Sequence, residues 1–350
     1  MSGYLTGWER VAASSGILRF VDRVLRGIGQ VLFQDNPLSG LLFLIAIGWG
    51  SFAAGVPQVS IAGLVAVIVA TLVAQWLHVD RTALNSGLYG YNAYLVGLAL
   101  ATFLAPGTLL WAYVVLGGAV SVVAMLGIAN AVKAWEMSAF TFPFVLTTWI
   151  LLLATYGFAG LTSSALPAGR VVTPFEPYAT AGLTFGGFVQ GVFHGISQIF
   201  LKGNIVSALL LLAGLAVNSV AAAAFAFGGA IVAVITAHIL GAESELITGG
   251  LLGFSPILTA IALGTVFYRP SWRVGIYAAV GTVFTVIAQS ALNVALMPLA
   301  IPALTAPFVL VSWLFLLPKQ CFGPASTATI DITSIDAIDT AHSDARRPAA

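Results

Sequence analysis

The chain has 350 residues, of which 59% are apolar and only 7% charged, with a formal net charge of +1 and a mean hydropathy of +1.02. Soluble domains carry about 25% charged residues, so this composition cannot cover a water-facing surface and indicates an all-α polytopic membrane protein. The near-neutral balance leaves no electrostatic footprint for nucleic acid, and the single cysteine, Cys321, excludes an intrachain disulfide or a multi-cysteine metal site.

Residues 1–14 read as a short cytoplasmic segment, without the uninterrupted apolar stretch of a cleavable signal peptide. The next segment, about 15–35, is amphipathic, with Arg19, Asp22, Arg23 and Arg26 ahead of Gln30. It is expected to enter the membrane as a re-entrant half-helix and to stop at the polar break Gln34-Asp35-Asn36-Pro37. Interrupted backbone at that depth is tolerated where protein buries it or it lines a cavity. An interfacial surface helix with Gln30 at its end is the competing reading. A spanning helix needs roughly 17–25 mostly apolar residues, and five candidates follow, near 38–55, 59–77, 86–104, 108–130 and 139–157. A turn-rich linker, 158–179, is expected outside the cell. A second poorly spanning segment, about 180–202, ends at Lys202-Gly203-Asn204. Five more spans follow near 204–225, 226–240, 248–268, 274–296 and 303–318, the short 226–240 being the least sharply bounded. Residues 319–350 turn to Ala, Thr, Ser and Asp and read as a flexible cytoplasmic tail.

Three segments recur. Gln30-Val-Leu-Phe-Gln-Asp-Asn36 matches Gln198-Ile-Phe-Leu-Lys-Gly-Asn204 at an offset of 168 residues, and Gly87-Leu-Tyr-Gly-Tyr91 matches Gly250-Leu-Leu-Gly-Phe254 at 163. Phe140-Thr141-Phe-Pro143-Phe144 matches Leu304-Thr305-Ala-Pro307-Phe308 at 164. Near-constant offsets mean a duplicated unit, 15–157 and 180–318. Five spans is an odd number, so the second copy starts from the opposite face: an inverted repeat of two halves, each five transmembrane helices plus one re-entrant pore helix. With both termini cytoplasmic, eleven of the 13 Lys and Arg residues face the cytoplasm and only Arg170 and Lys202 face outward, which satisfies the positive-inside bias. Duplicated membrane units place a substrate site where the halves meet.

The spans contain essentially no Asp, Glu, Lys or Arg, groups that coupled transporters use as ion or proton relays. A neutral solute moving passively fits. His78 and His238 lie at span ends and His194 lies before the second break, without metal-ligand spacing. No catalytic residue, metal or cofactor is expected, and no His or acid sits mid-span beside a Ser or Cys. The paired polar groups are Gln30 with Gln198 and Thr141 with Thr305. The C-terminal ends of the two half-helices would add unpaired carbonyl acceptors near the midplane. Phe33 and Leu201 follow the glutamines by three, while Tyr91/Leu95 and Phe254/Leu258 are spaced i,i+4 on one helix face. Flat apolar walls beside acceptors would form a slot for a planar polar molecule.

Together these residues closely resemble the urea transporter family, through the Gln-Val-x-Phe-x-x-Asn, Gly-Leu-x-Gly-Tyr-Asn and Leu/Phe-Thr-x-Pro-Phe segments, over most of residues 25–318. The resemblance implies a bacterial-type channel in the inner (plasma) membrane, a homotrimer with one pore per protomer. It implies urea conducted by facilitated diffusion without ATP or ion coupling. By position, Gln30 and Gln198 join oxygen ladders that accept urea N–H groups, with the backbone carbonyls of Val31 and Ile199 nearby. Thr141 and Thr305 line the constricted middle. Phe33, Tyr91 and Leu95 form one slot, and Leu201, Phe254 and Leu258 the other. Leu201 and Tyr91 stand where the aromatic slot commonly has phenylalanine, Gln198 where some members have glutamate, and Phe254-Ser255-Pro256 replaces Tyr-Asn-Ala. The alternative is a channel for another small neutral solute such as ammonia, a short amide or water.

Overall fold

A computed structural model describes residues 2–173 and 182–321. Most of the expected tail, and the end of the linker, lie outside the described residues. Among those described, structure is helical apart from one isolated bridge between Leu104 and Ser163. The first series is α1 (Ser2–Ser14), α2 (Gly16–Gln30), α3 (Pro37–Ala53), α4 (Pro57–Trp76), α5 (Arg81–Asn85), α6 (Tyr91–Phe103), α7 (Thr108–Val132) and α8 (Phe142–Ala154). The second is α9 (Phe185–Gln198), α10 (Ile205–Asn218), α11 (Val220–Ile239), α12 (Ser244–Thr248), α13 (Phe254–Ile261), α14 (Trp272–Leu296) and α15 (Ala306–Leu316).

Ten apolar helices stand where ten spans were expected, yet only α4, α7, α11 and α14 are long and apolar enough to cross a bilayer. The other six, counting the π turn Ala262–Val266 that continues α13, have 10–17 residues, short of the ~20 that a crossing takes. Their N-termini explain this. Helices α3, α6 and α8 begin after Asn36, Gly90 and Thr141, all buried, and α10, α13 and α15 begin after Asn204, Gly253 and Thr305. Asn36 caps α3, its side chain accepting from the amides of Leu38 and Ser39 with Pro37 in the first turn, and Asn204 caps α10 through the Ser207 amide. Asparagine cap followed by proline is a strong helix start.

The boundary expected near 225–226 falls instead at Asn218–Ser219. Ser219 is extended and its hydroxyl accepts from the Ala222 amide. Cap chemistry sets that break, and a hydropathy profile passes over it in an alanine-rich run. The break also accounts for the change in offset. From the start of α3 to the start of α4 is five residues longer than from α10 to α11, which takes the offset from 168 to 163. Lys202, expected on the outer side, is 6% exposed; its stem packs beside Gly50 of α3.

The two series are joined by reciprocal bonds. Ser39 Oγ of α3 donates to the Gly214 carbonyl of α10 at 2.7 Å, and Ser207 Oγ of α10 donates to the Ala46 carbonyl of α3 at 2.7 Å. The start of α3 thus lies beside the end of α10, so the helices run antiparallel. Trp149 Nε1 of α8 donates to the Pro302 carbonyl at 2.9 Å, and Trp313 Nε1 of α15 donates to the Ser138 carbonyl at 2.8 Å. Each donor and each acceptor has its counterpart in the other series. The linker spans both as well: the Ser164 amide reaches the Phe103 carbonyl and the Arg170 amide reaches that of Met297.

Helix α2 lies tight on α3. A Cβ placed on Gly40 would come 1.8 Å from the Leu25 carbonyl oxygen, whereas one on Gly48 meets open space. Gly40→Ala should therefore force α2 away and lower stability by at least the ~1–3 kcal/mol of an overpacked contact. Gly48→Ala should be neutral or stabilising by up to about 1 kcal/mol, since alanine is the better helix former. Thermal unfolding of the detergent-purified variants, followed by size exclusion, separates the two outcomes.

Candidate functional site

Helix α2 ends inside the protein. Val24, Ile28, Val31 and Leu32 are buried, which is not the environment of a surface helix. The end is closed by a tight reversal: the amides of Leu32 and Gln34 both reach the Gly29 carbonyl, with Phe33 at φ +60°. Helix α9 closes the same way, with Phe200 and Lys202 amides on the Ser197 carbonyl and Leu201 at φ +60°. This is the six-to-one closure that usually places glycine at the left-handed position. A bulky residue there costs of order 1–3 kcal/mol, strain that tends to cluster at functional sites. The closure consumes the last helical carbonyls, but no described backbone amide reaches those of Val31 or Ile199. These two oxygens remain as acceptors.

Gln30 Nε2 donates to the Ser86 carbonyl at 2.9 Å, and Gln198 Nε2 donates to the Gly249 carbonyl at 3.1 Å. With the amide NH2 so engaged, each Oε1 is left as an acceptor. The turns carrying Ser86 and Gly249 come this close because of the next glycine. Gly87 (φ +75°) and Gly250 (φ +72°) take a conformation that L side chains rarely adopt, and a Cβ at either would lie 2.2 Å from the amide nitrogen of Gly27 or Gly195. The recurring Gly-Leu-x-Gly segment is thus a device for pressing a turn against α2 or α9.

Thr141 Oγ1 and Thr305 Oγ1 lie 2.6 Å apart, each residue 3% exposed. Each hydroxyl has one proton and two lone pairs, so the mutual bond uses one proton and leaves the other available. The threonines follow Phe140 (φ +49°) and Leu304 (φ +52°). In the first series the Phe140 carbonyl accepts from Tyr91 Oη and from Asn92 Nδ2, while Asn92 Oδ1 accepts the Phe144 amide at 3.1 Å. Asn92 therefore caps α8 from a neighbouring helix, a task Thr141 does not perform. In the second series Ser255 Oγ reaches the Leu304 carbonyl at 3.4 Å. The exchange of Tyr-Asn for Phe-Ser thins the support on that side.

The structure brings Phe33 to the threonine segments through two rings, Phe140 and Phe308, that the sequence pattern does not single out as slot residues. Phe33 meets Phe140 edge-on at 6.4 Å and Phe308 at 6.1 Å, and Phe140 meets Phe308 at 5.2 Å. A signal for them exists, because both belong to the Phe/Leu-Thr-x-Pro-Phe segments. Of the expected slot residues, Leu95 and Leu258 are fully buried and Tyr91 is buried with its hydroxyl tied down, while Phe33, Leu201 and Phe254 are half-buried. On the α2 side a 350 Å³ cavity reaches Ser86, lined also by Arg19, Asp22, Arg26, Asp35 and Asn85. Arg26 is held by Asp22 at 3.0 Å and Asp35 at 2.7 Å, and Trp8 Nε1 donates to Asp22.

Removing one threonine hydroxyl strands the other in a buried site, which costs roughly 1–3 kcal/mol, whereas removing both strands nothing. Thr141→Val and Thr305→Val should each lower the melting temperature, and the double variant should be no less stable than either single one. A thermal-unfolding double-mutant cycle measures that non-additivity.

A family model described as urea transporter matches residues 21–320. The chain is 30% identical over 323 residues to urea transporter 1 of Ovis aries, covering 90% of this chain and 82% of that protein. It is likewise 30% identical over 326 residues to urea transporter 1 of Mus musculus, with the same shares.

Proposed function

The chain belongs to the urea transporter family, and we propose that it is a passive, selective channel through which urea crosses the membrane down its own gradient, without ATP or ion coupling. One observation carries this most directly. Each series has a matched set of acceptors, a glutamine Oε1 and a backbone carbonyl that no described backbone amide reaches, and the uncharged hydroxyls of Thr141 and Thr305 pair across the series; in this reading the two sets flank that pair. Urea offers four N–H donors and one carbonyl acceptor in a plane. Gln30, Val31, Gln198 and Ile199 take the N–H groups, and the free proton of the Thr141–Thr305 pair meets the carbonyl. Phe33, Tyr91 and Leu95 on one side, and Leu201, Phe254 and Leu258 on the other, form the apolar walls that admit a flat molecule.

In this reading the two halves, 15–157 and 180–318, are inverted repeats whose half-helices, about 15–35 and 180–202, approach from opposite faces. The reciprocal serine and tryptophan bonds and the antiparallel run of α3 and α10 support it. The distribution of Lys and Arg, eleven toward the cytoplasm against Arg170 and Lys202, supports cytoplasmic termini. Helical rather than barrel spans fit an inner or plasma membrane. A homotrimer with one pathway per protomer is the assembly that the family resemblance implies.

Gln30→Leu and Gln198→Leu each remove an acceptor. Losing one hydrogen bond at a barrier, roughly 1–3 kcal/mol, should cut urea flux into proteoliposomes about 5- to 150-fold at 1.36 kcal/mol per decade. Loss in one variant with normal flux in the other would contradict the paired arrangement. Imposed proton, sodium or voltage gradients should not drive accumulation; uphill urea uptake under any of them would overturn the passive reading.

A further inference from the structure

The two halves differ one helical turn before each glutamine. At the position matching Arg26 of α2, helix α9 carries His194. Arg26 is neutralised by Asp22 and Asp35 and offers no acceptor. His194 is half-buried, and its Nδ1 lies 3.0 Å from the Thr248 carbonyl. A carbonyl oxygen only accepts, so Nδ1 carries the proton, and the neutral ring holds its lone pair on Nε2. Gln198, four residues on and on the same helix face, donates to Gly249, the very next carbonyl of that turn. Both side chains flank Gly203, which is exposed: a Cβ there would lie 3.5 Å from Gln198 Nε2 and 3.7 Å from His194 Nδ1.

We propose that His194 Nε2 is one further acceptor on the α9 side, a urea-binding group about 6 Å outward of Gln198 Oε1 along the helix, so that the row of acceptors is longer in the second half than in the first. This rests on the urea reading. The lone pair takes a urea N–H as the solute arrives. The elements packed against α9 are α10, α11, α12 and α13. Their titratable residues are His238 on α11 and Glu243 and Glu245 at the start of α12, and Lys202 lies in the following turn. None of these hydrogen-bonds the His194 ring among the described residues.

The test is stopped-flow urea flux in proteoliposomes of the unaltered protein, His194→Leu and His194→Gln, with pH 8 on both sides of the membrane. At pH 8, His194→Leu should lower flux about 2- to 10-fold, the loss of one neutral hydrogen bond. His194→Gln keeps a neutral acceptor and should stay near the unaltered protein. Unchanged flux in His194→Leu, or equal losses in both variants, would overturn the proposal. If His194→Leu does not fold, His194→Phe, which keeps a flat ring without an acceptor, takes its place and should lose flux by the same factor. No urea flux in the unaltered protein would contradict the urea reading itself, and this inference with it.

Discussion

A polar backbone group left unpaired in hydrocarbon costs several kcal/mol, and eight helix ends among the described residues stop short inside the protein. That constraint governs the rest of the structure. Helices α2 and α9 can end at depth only because each closes on its own carbonyls and because a neighbouring turn is held against it. Helices α3, α8 and α10 begin at depth on caps that lie ready: Asn36 and Asn204 in sequence, and Asn92 from across the bundle. The carbonyls of Val31 and Ile199 are left without a backbone donor among the described residues, and the hydroxyls of Thr141 and Thr305 meet across the two series.

The serine and tryptophan bonds between series fix how they meet. Four side-chain donors, two from each series, reach backbone carbonyls of the other at 2.7–2.9 Å. Hydrogen bonds of this kind contribute modestly, about 0.5–1.5 kcal/mol each, but they specify register, because a shifted packing would leave every donor buried without a partner. Thr141 and Thr305 come into contact as a consequence of that register. The same register sets the aromatic rings of Phe33, Phe140 and Phe308 against one another across the two series. The halves differ within this centre, Phe33 against Leu201 and Phe140 against Leu304, and beside it, Asn92 against Ser255 and Arg26 against His194.

Much of this architecture is legible in the amino-acid sequence alone. The offsets between Gln30 and Gln198 and between Thr141 and Thr305 point to a duplicated unit, and the amphipathic segment ahead of Gln30 points to an interrupted helix. What a sequence does not display is contact across the bundle. Nothing near Asn92 says that its side chain caps a helix much further along the chain. Nothing near Gln34 says that it accepts from Asn218 at 2.9 Å in the other series. Phe140 and Phe308 are apolar residues in apolar runs, so hydropathy gives no reason to separate them from ordinary packing. The break at Asn218–Ser219 is hidden for a related reason: a serine cap carries little weight in an average over neighbouring alanines. Counting spans puts Lys202 toward the outer side, but a count does not show that its turn folds its stem onto the space left by Gly50.

The central claim is that urea passes between Thr141 and Thr305. The most direct measurement places cysteines at both positions in a Cys321→Ser background, oxidises the pair to a disulfide, and follows urea flux into proteoliposomes before and after reduction. Hydroxyl oxygens 2.6 Å apart put the two β-carbons in the neighbourhood of the roughly 3.5–4.5 Å that a disulfide spans. The account predicts that the disulfide abolishes urea flux and that reductant restores it. Undiminished flux through protein shown to carry the disulfide would contradict the account.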